Sequence, residues 1–411
     1  MKKIILLLIM IFILSSTICY AAMEGFDTIK LGLFFGDTAK DSVTISSENG
    51  LEVGYDSEDG FVPTMGLETT EIRVFVNEDG KIEIENTAVI DGDAMFVPKE
   101  GFITIEGTTY RGSCILLLKD GKMTVINKVG TEEYLYSVLG KEMSPSWPLE
   151  ALKAQAICAR SYAYRNKNKF ASYGFNLCTT TVSQVYGGVE TESEKTIQAV
   201  DETKGQLLKY NGQVAETLFY ASDGGYTADA KYVWGNAVPY LTAKEDPYEI
   251  NEKASYGSWS VTYTIEDIEN MLAKREINIG KVKNLVVTGV DNKTVYQVDI
   301  IGTEGTYSVK NDSTRTFFGL KSQYFDIVSN LSEDDNILSD WELFSKNAYS
   351  FFENEDMSVF EKNTNGATFT FNGRGYGHRV GMSQCGARDM ALMGFSANKI
   401  LEFYYTGTYI E

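Results

Sequence analysis

Residues Val138 to Tyr164 read VLGKEMSPSWPLEALKAQAICARSYAY, and this stretch decides the fold. Upstream of it, Tyr134, Leu135, Val138 and Leu139 recur at helical spacing, so residues Thr131–Met143 are predicted as one helix. The Ser/Pro turn that follows interrupts it, and Pro148 suits the first turn of a second helix. In that second helix Leu149, Leu152, Ala156, Ala159 and Ala163 make a single apolar stripe, read as core packing. Its periodicity is lost at Lys167-Asn168-Lys169.

Working outward, residues 29–126 alternate or run apolar in short pieces (IKLGLFF, SVTISS, EIRVFV, KIEIE, FITIEG, CILLLKDGKMTVI) separated by Gly, Asp and Asn. That is the pattern of short strands and turns. Downstream the pattern is mixed, with a helix predicted near Glu194 to Thr203 and strands at Gln206–Tyr210 and Val214–Tyr220. A tight turn is predicted at Gly224-Gly225, a helix at Ile265–Lys274, and strands at Val282–Val290, Val295–Ile301 and Thr306–Val309. The last predicted element is an amphipathic helix at Ala397–Tyr405. The expected fold class is α+β: a β-rich mixed fold with short N-terminal strands, a central Ala-rich helix and a C-terminal helix. The expected organisation is a leader over residues 1–22, a β-rich part over 23–126 and a catalytic core over 127–411. An acidic insertion lies near 330–356.

The chain has 411 residues, 43% of them hydrophobic, and a formal net charge of −20. That charge argues against nucleic acid and anionic lipid surfaces as partners. Lys2 and Lys3 precede an apolar run from Ile4 to Leu14, and small residues follow as far as Ala22. This is the pattern of a secretory signal, with an uncleaved N-terminal anchor as the other reading. An exported protein is expected, located outside the cytoplasmic membrane or in the cell wall. Beyond the leader the cysteines Cys114, Cys158, Cys178 and Cys385 are widely spread and do not form the spacing of a disulfide framework.

Two motifs carry chemistry. Glu142 is a candidate general acid, because Met143 and Trp147 beside it can desolvate a carboxyl and favour its protonated form. Gly373 to Ala387, GRGYGHRVGMSQCGA, holds His378, the one histidine of the sequence. Its glycines allow close backbone approach, and His378, Ser383 and Gln384 can hydrogen-bond sugar hydroxyl or N-acetyl groups; equally, they can satisfy buried backbone in a tight turn. Tyr220, Ser222, Asp223, Gly224 and Gly225 form a second candidate wall, and Gln184 and Tyr186 either line a cleft or pack.

The segment EYLYSVLGKEMSPSWPLEALKAQAICARSYAY resembles the signature of the stage II sporulation protein D family, which also includes the amidase enhancers. The resemblance continues through SQVYGG, FYASDGGYT, VWGNAVPYL, TRTFFGLKS, GRGYGHRVGMSQCGA and ILEFYYTGT, in family order. It implies a lytic transglycosylase acting on peptidoglycan glycan strands freed of stem peptides, with Glu142 as the catalytic acid. The alternative it implies is a wall-binding enhancer of an amidase that cleaves no sugar bond. The partners implied are glycan strands and a cell-wall amidase or a sporulation or division complex. The sequence departs from the family in one place. Cys178 persists, but Val182 and Ser183 stand where the sporulation members carry a histidine and a cysteine of a zinc site. No zinc and no other cofactor is expected here.

Overall fold

The computed structural model describes residues 26–249, 257–331 and 366–411. The leader expected over residues 1–22 and nearly all of the acidic insertion lie outside the described residues. The chain divides into two compact units. Residues up to Thr217, with Phe395–Ile400 and Thr408–Glu411, make the first, and Leu218–Gly394 with Leu401–Gly407 make the second. Strand outweighs helix in a mixed α+β, β-rich fold.

The first unit opens with twelve strands in succession. These are β1 (Thr28–Phe34), β2 (Ser42–Ser46), β3 (Leu51–Ser57), β4 (Gly60–Leu67), β5 (Glu71–Val76), β6 (Ile82–Ile84), β7 (Ala88–Ile90), β8 (Ala94–Pro98), β9 (Ile103–Ile105), β10 (Thr108–Tyr110), β11 (Ser113–Lys119) and β12 (Lys122–Gly130). They form a sheet of order β13-β1-β12-β11-β8-β3-β4, in which β13 (Leu177–Cys178) is the late parallel edge, and a second sheet of order β10-β9-β2-β5-β6-β7. Alternation fixes which side faces the core: in β2, Val43 and Ile45 are buried and Thr44 between them is exposed. The strands predicted over residues 29–126 are present, whereas the one predicted over Val214–Tyr220 is reduced to two-residue pieces at Gln213–Val214 and Phe219–Tyr220. Sequence pattern did not reveal β3 and β4, because Gly54, Pro63 and Gly66 break their alternation.

Helix α1 (Thr131–Glu142) follows β12 without a break, and α2 (Leu149–Arg165) follows the Ser/Pro turn. Ala151, Ala154, Ala156, Ala159 and Ala163 are all buried, so α2 is enclosed on nearly every side and its small residues let neighbours approach closely. Helix α3 (Glu194–Asp201) begins at Ser193, whose hydroxyl accepts from the Thr196 N–H in a capping box. The chain end returns to this unit as β24 (Tyr409–Ile410), which pairs with β14 (Leu208–Tyr210).

One cation ties these helices together. Arg160 of α2 is fully buried, and its guanidinium binds Glu132 of α1 through two parallel bonds of 2.8 and 2.6 Å. The same group donates to the carbonyls of Gln206 and Val200, while Glu132 also accepts from the Gly205 N–H. Gly140 supplies the other close fit, since a Cβ there would lie 1.8 Å from the Thr191 carbonyl oxygen.

The second unit contains β16 (Phe219–Tyr220), α4 (Ala230–Trp234), β17 (Ser258–Thr264), α5 (Ile265–Ala273), β18 (Val282–Asp291), β19 (Thr294–Gly302), β20 (Thr306–Lys310), α6 (Ser313–Thr316), β21 (Tyr324–Ser329), β22 (Thr368–Arg374), β23 (Met382–Ser383) and α7 (Gln384–Leu392). Two three-stranded antiparallel sheets, β17-β22-β21 and β18-β19-β20, share a core with α5 in which Ile268, Leu272, Val298, Phe318, Phe369 and Phe371 are buried. Strands β16 and β23 pair in parallel over two residues each. Helix α8 (Ala397–Tyr404) gives its first residues to the first unit and its last to the second.

Replacing Arg160 with alanine removes the counter-charge of Glu132 and the donors to two buried carbonyls. The expected loss is about 3–5 kcal/mol of stability, read as a lowered denaturation midpoint. A change below about 1 kcal/mol would show that the pair does not hold α1 against α2.

Candidate functional site

Glu142 is the last residue of α1 and is half-buried, while Tyr134, Val138 and Leu139 on the same helix are fully buried. The helix stops because Met143 turns extended (φ −130°, ψ 144°), its N–H still reaching the Leu139 carbonyl. A tight turn follows, with the Trp147 N–H on the Ser144 carbonyl and the two hydroxyls of Ser144 and Ser146 2.8 Å apart. Lys195 of α3 donates its ammonium to the Trp147 carbonyl, fixing the turn from outside. The carboxylate therefore leaves a rigid helix at a defined place.

Behind it lies a buried polar layer of the same unit. Tyr134 stands two turns before Glu142 on its face of α1 and donates its hydroxyl to Gln184 Oε1 at 3.0 Å. Burial first, and then the proximity of Tyr162, Tyr186 and Glu142, holds the Tyr134 phenol firmly neutral. Tyr186 donates to Asn127 Oδ1 at 2.9 Å, and its ring stacks on Tyr110 and leans on Tyr134. Gln184 is buried, and its Nε2 has no hydrogen-bond partner among the described residues. Gln184 and Tyr186 thus join the helix that carries Glu142, as packed side chains. Cys178 lies in this loop as well. Burial alone would raise its thiol, but the hydroxyls of Ser183 and Thr180, both 3.4 Å from Sγ, and the charge of Lys169 bring it below the usual cysteine value.

The other candidates assemble in the second unit. The turn Ser222–Gly225 is pinned by reciprocal backbone bonds between Ser222 and Tyr376 and by the Gly225 N–H on Asp223 Oδ1 at 2.7 Å. Gly224 has φ +69°, and a Cβ there would lie 2.6 Å from that of Arg374, so only glycine fits. Ser383 caps α7, its oxygen accepting from the Gly386 N–H at 3.1 Å, and Gln384 opens that helix as a buried residue. His378 is packed with its ring against Tyr220 and Trp234. Its Nδ1 accepts from the Val380 N–H at 3.1 Å, and its other nitrogen bonds to the Phe219 carbonyl. Burial, and then the charge of Arg315, push it down to about 4, so the imidazole is neutral.

Sequence reasoning missed four residues of this cluster: Arg379, Asp246, Glu249 and Tyr404. Arg379 is fully buried with φ +62°, and its guanidinium donates to the carbonyls of Asp223, Tyr226 and Lys293. A left-handed arginine inside a glycine-rich motif carries no periodic signal, though an arginine beside the histidine was visible. Asp223, Asp246 and Glu249 bring carboxylate oxygens within 4.8 Å of one another. That is an all-oxygen set of the type that suits calcium or magnesium, and its oxygens are already engaged. Tyr404 donates to Asp246 Oδ2 at 2.5 Å, Tyr220 lies 3.5 Å from Asp223 Oδ2, and Glu249 accepts from Ser222 and Ser383.

Burial pushes Asp223 well above the usual carboxylate range, and the charges of Glu249 and Asp246 push it further. Burial also raises Asp246. The two share a hydrogen bond, which requires a proton on one of them. A folded-state value above the unfolded one stabilises at low pH, and that stabilisation is lost as pH rises through the folded value. Asp223→Asn keeps the neutral shape at every pH. Relative to this variant, the wild type is expected to lose up to about 1.4 kcal/mol per pH unit as pH climbs above ~4. Thermal unfolding of both proteins from pH 4 to pH 8 checks this; a constant difference would place no proton on the pair.

Residues 119–210, which include α1, the Ser/Pro turn and α2, match the stage II sporulation protein family. An amidase enhancer of Bacillus subtilis is 30% identical over 405 residues, 91% of this chain. The chain spans only about half of that relative's length, 53%. Stage II sporulation protein D of Bacillus subtilis is 29% identical over 304 residues, covering 70% of this chain and 76% of the relative. An uncharacterized protein of Brachyspira hyodysenteriae is 30% identical over 343 residues, 82% of each chain. Family signature and relatives agree, and the chain belongs to the family of stage II sporulation protein D and the amidase enhancers.

Proposed function

We propose that this protein is an exported lytic transglycosylase that cleaves the bond between N-acetylmuramic acid and N-acetylglucosamine in peptidoglycan strands. The observation that carries the reading is the position of Glu142, a half-exposed carboxyl at the fixed end of an otherwise buried helix, in the segment that matches the family. The family's cell-wall context supports a glycan substrate.

The chemistry needs one acid. Protonated Glu142 gives its proton to the glycosidic oxygen as the C1–O bond breaks, and the muramoyl 6-hydroxyl attacks C1 of the same sugar. The resulting carboxylate takes the hydroxyl proton, so Glu142 is restored and the product ends in a 1,6-anhydro ring with no water consumed. An ordinary glycosidase needs a second carboxyl to handle water or to attack the sugar. Here the nucleophile is part of the substrate, and an intramolecular attack can contribute about 7 kcal/mol or more toward the barrier.

The second reading is a non-catalytic enhancer of a cell-wall amidase, favoured by the relative of that name, 30% identical over 91% of this chain. Both readings require glycan binding, and only the first requires a proton on Glu142.

Glycan strands with and without stem peptides, incubated with the wild type and with Glu142→Gln, discriminate them by mass spectrometry of the products. The wild type is expected to yield 1,6-anhydro-N-acetylmuramic acid ends. Glu142→Gln should lose on the order of a hundredfold or more in rate while still binding glycan. Equal activity of the two proteins sinks the acid role. No cleavage by either, with faster peptide release by an added amidase, establishes the enhancer.

A further inference from the structure

Helix α2 carries a glutamine among its alanines. Gln155 is fully buried between Ala154 and Ala156, and neither its Nε2 nor its Oε1 has a hydrogen-bond partner among the described residues. A buried amide with both ends unmet costs stability, and leucine or methionine would continue the apolar surface at similar volume. A local rule broken in this way points to a use elsewhere in the molecule.

The packing of α1 and α2 shows what stands opposite. Arg160, late in α2, binds Glu132, early in α1, so the two helices run antiparallel. The Tyr134 phenol of α1 lies near enough to Tyr162 of α2 and to Glu142 of its own helix to feel both charges. Gln155 lies seven residues before Tyr162, and Glu142 lies eight residues after Tyr134. Each step is about two helical turns, roughly 10–12 Å along the axis. Two turns return a side chain to the same face. Gln155 and Glu142 therefore come level with each other on the facing sides of the two helices, at the end closed by the Ser/Pro turn. Gln184 meets the same helix pair, its Oε1 holding the Tyr134 hydroxyl at 3.0 Å.

A primary amide suits a group that must act as acid and then as base. Its N–H donates to a carboxylate, and its carbonyl accepts the O–H of a carboxylic acid. A lysine or arginine in this place would hold the carboxyl charged, and a second carboxylate would hold it protonated.

We propose that Gln155 is the positioning residue of Glu142, turning onto its carboxyl when glycan is bound and keeping one orientation through both halves of the proton cycle. This rests on the reading of Glu142 as the acid. When the glycosidic oxygen takes the proton, the Gln155 N–H donates to the carboxylate left behind. When Glu142 receives the proton of the muramoyl 6-hydroxyl, the Gln155 carbonyl accepts its O–H. No proton passes to the amide, which is unchanged at the end. Fully buried, Gln155 acts through Glu142 alone, and the stability forgone in the resting chain returns as a fixed carboxyl in the bound state.

The test replaces Gln155 by an apolar near-isostere, Gln155→Met, with Gln155→Leu as a second shape, in the exported chain and again on the Glu142→Gln background. Because each substitution removes an unmet buried amide, the melting temperature is expected to rise by a few degrees. Toward glycan strands kcat should fall about ten- to a hundredfold with KM unchanged. On the Glu142→Gln background the same substitutions should change the residual rate less than about twofold, since residues acting as a unit are not additive. A lower melting temperature in both variants reveals an amide that already has a partner and overturns the proposal. An unchanged kcat overturns it as well, and so does an equal fall in rate with and without the Glu142 carboxyl. Absence of cleavage by the wild type is a separate result: it removes the acid reading itself, and this inference with it.

Discussion

The guanidinium of Arg160 is the interaction on which the first unit depends. It reaches Glu132 in α1, the Val200 carbonyl at α3 and the Gln206 carbonyl beyond it, from a position with no exposed surface. A buried cation is tolerated only when its charge and its donors are met. The pairing therefore admits essentially one relative placement of these segments. Because Glu142 ends the same helix that Glu132 begins, the ion pair also fixes where the candidate acid emerges. Gly140 adds a steric limit on the same helix, since any side chain there would strike the Thr191 carbonyl.

The second unit uses the same device. Arg379, also fully buried, binds the carbonyls of Asp223, Tyr226 and Lys293, and so ties the Ser222–Gly225 turn to the β18–β19 hairpin. Burial lowers this arginine to about 10, which still leaves it charged at neutral pH. Beside it the acids are arranged unlike those of an ordinary ion pair: Asp223 and Asp246 share a proton, and Glu249 takes four donors. Each unit thus has a fully buried arginine that sets backbone position, Arg160 in the first and Arg379 in the second.

Helix α2, its start after Pro148, the hairpin of β11 and β12, and the α5 helix were legible because periodicity and turn residues are local properties. The strands β3 and β4 were not, since two glycines and a proline interrupt their pattern and their pairing is made with distant β8 and with each other. The parallel pair β16 and β23 joins residues more than 160 positions apart over two residues each, too short for any pattern. Of the candidate residues, Ser222, Gly224 and Ser383 were visible as motif members. Their common partner, Glu249, lies in a plain EDPYE segment and was not.

The sequence by itself determined the β-rich α+β class and the two helices around the Ser/Pro turn, because local spacing and composition carry these, and its motifs carried the family and offered Glu142 as the candidate acid. Only the tertiary structure decided which buried charges meet: Arg160 with Glu132, Arg379 with the Asp223 turn, and Glu249 with Ser222 and Ser383. The reason is physical. A buried polar group takes its partner from whatever backbone and side chains the fold brings within about 3 Å, and nothing in the neighbouring sequence specifies that partner.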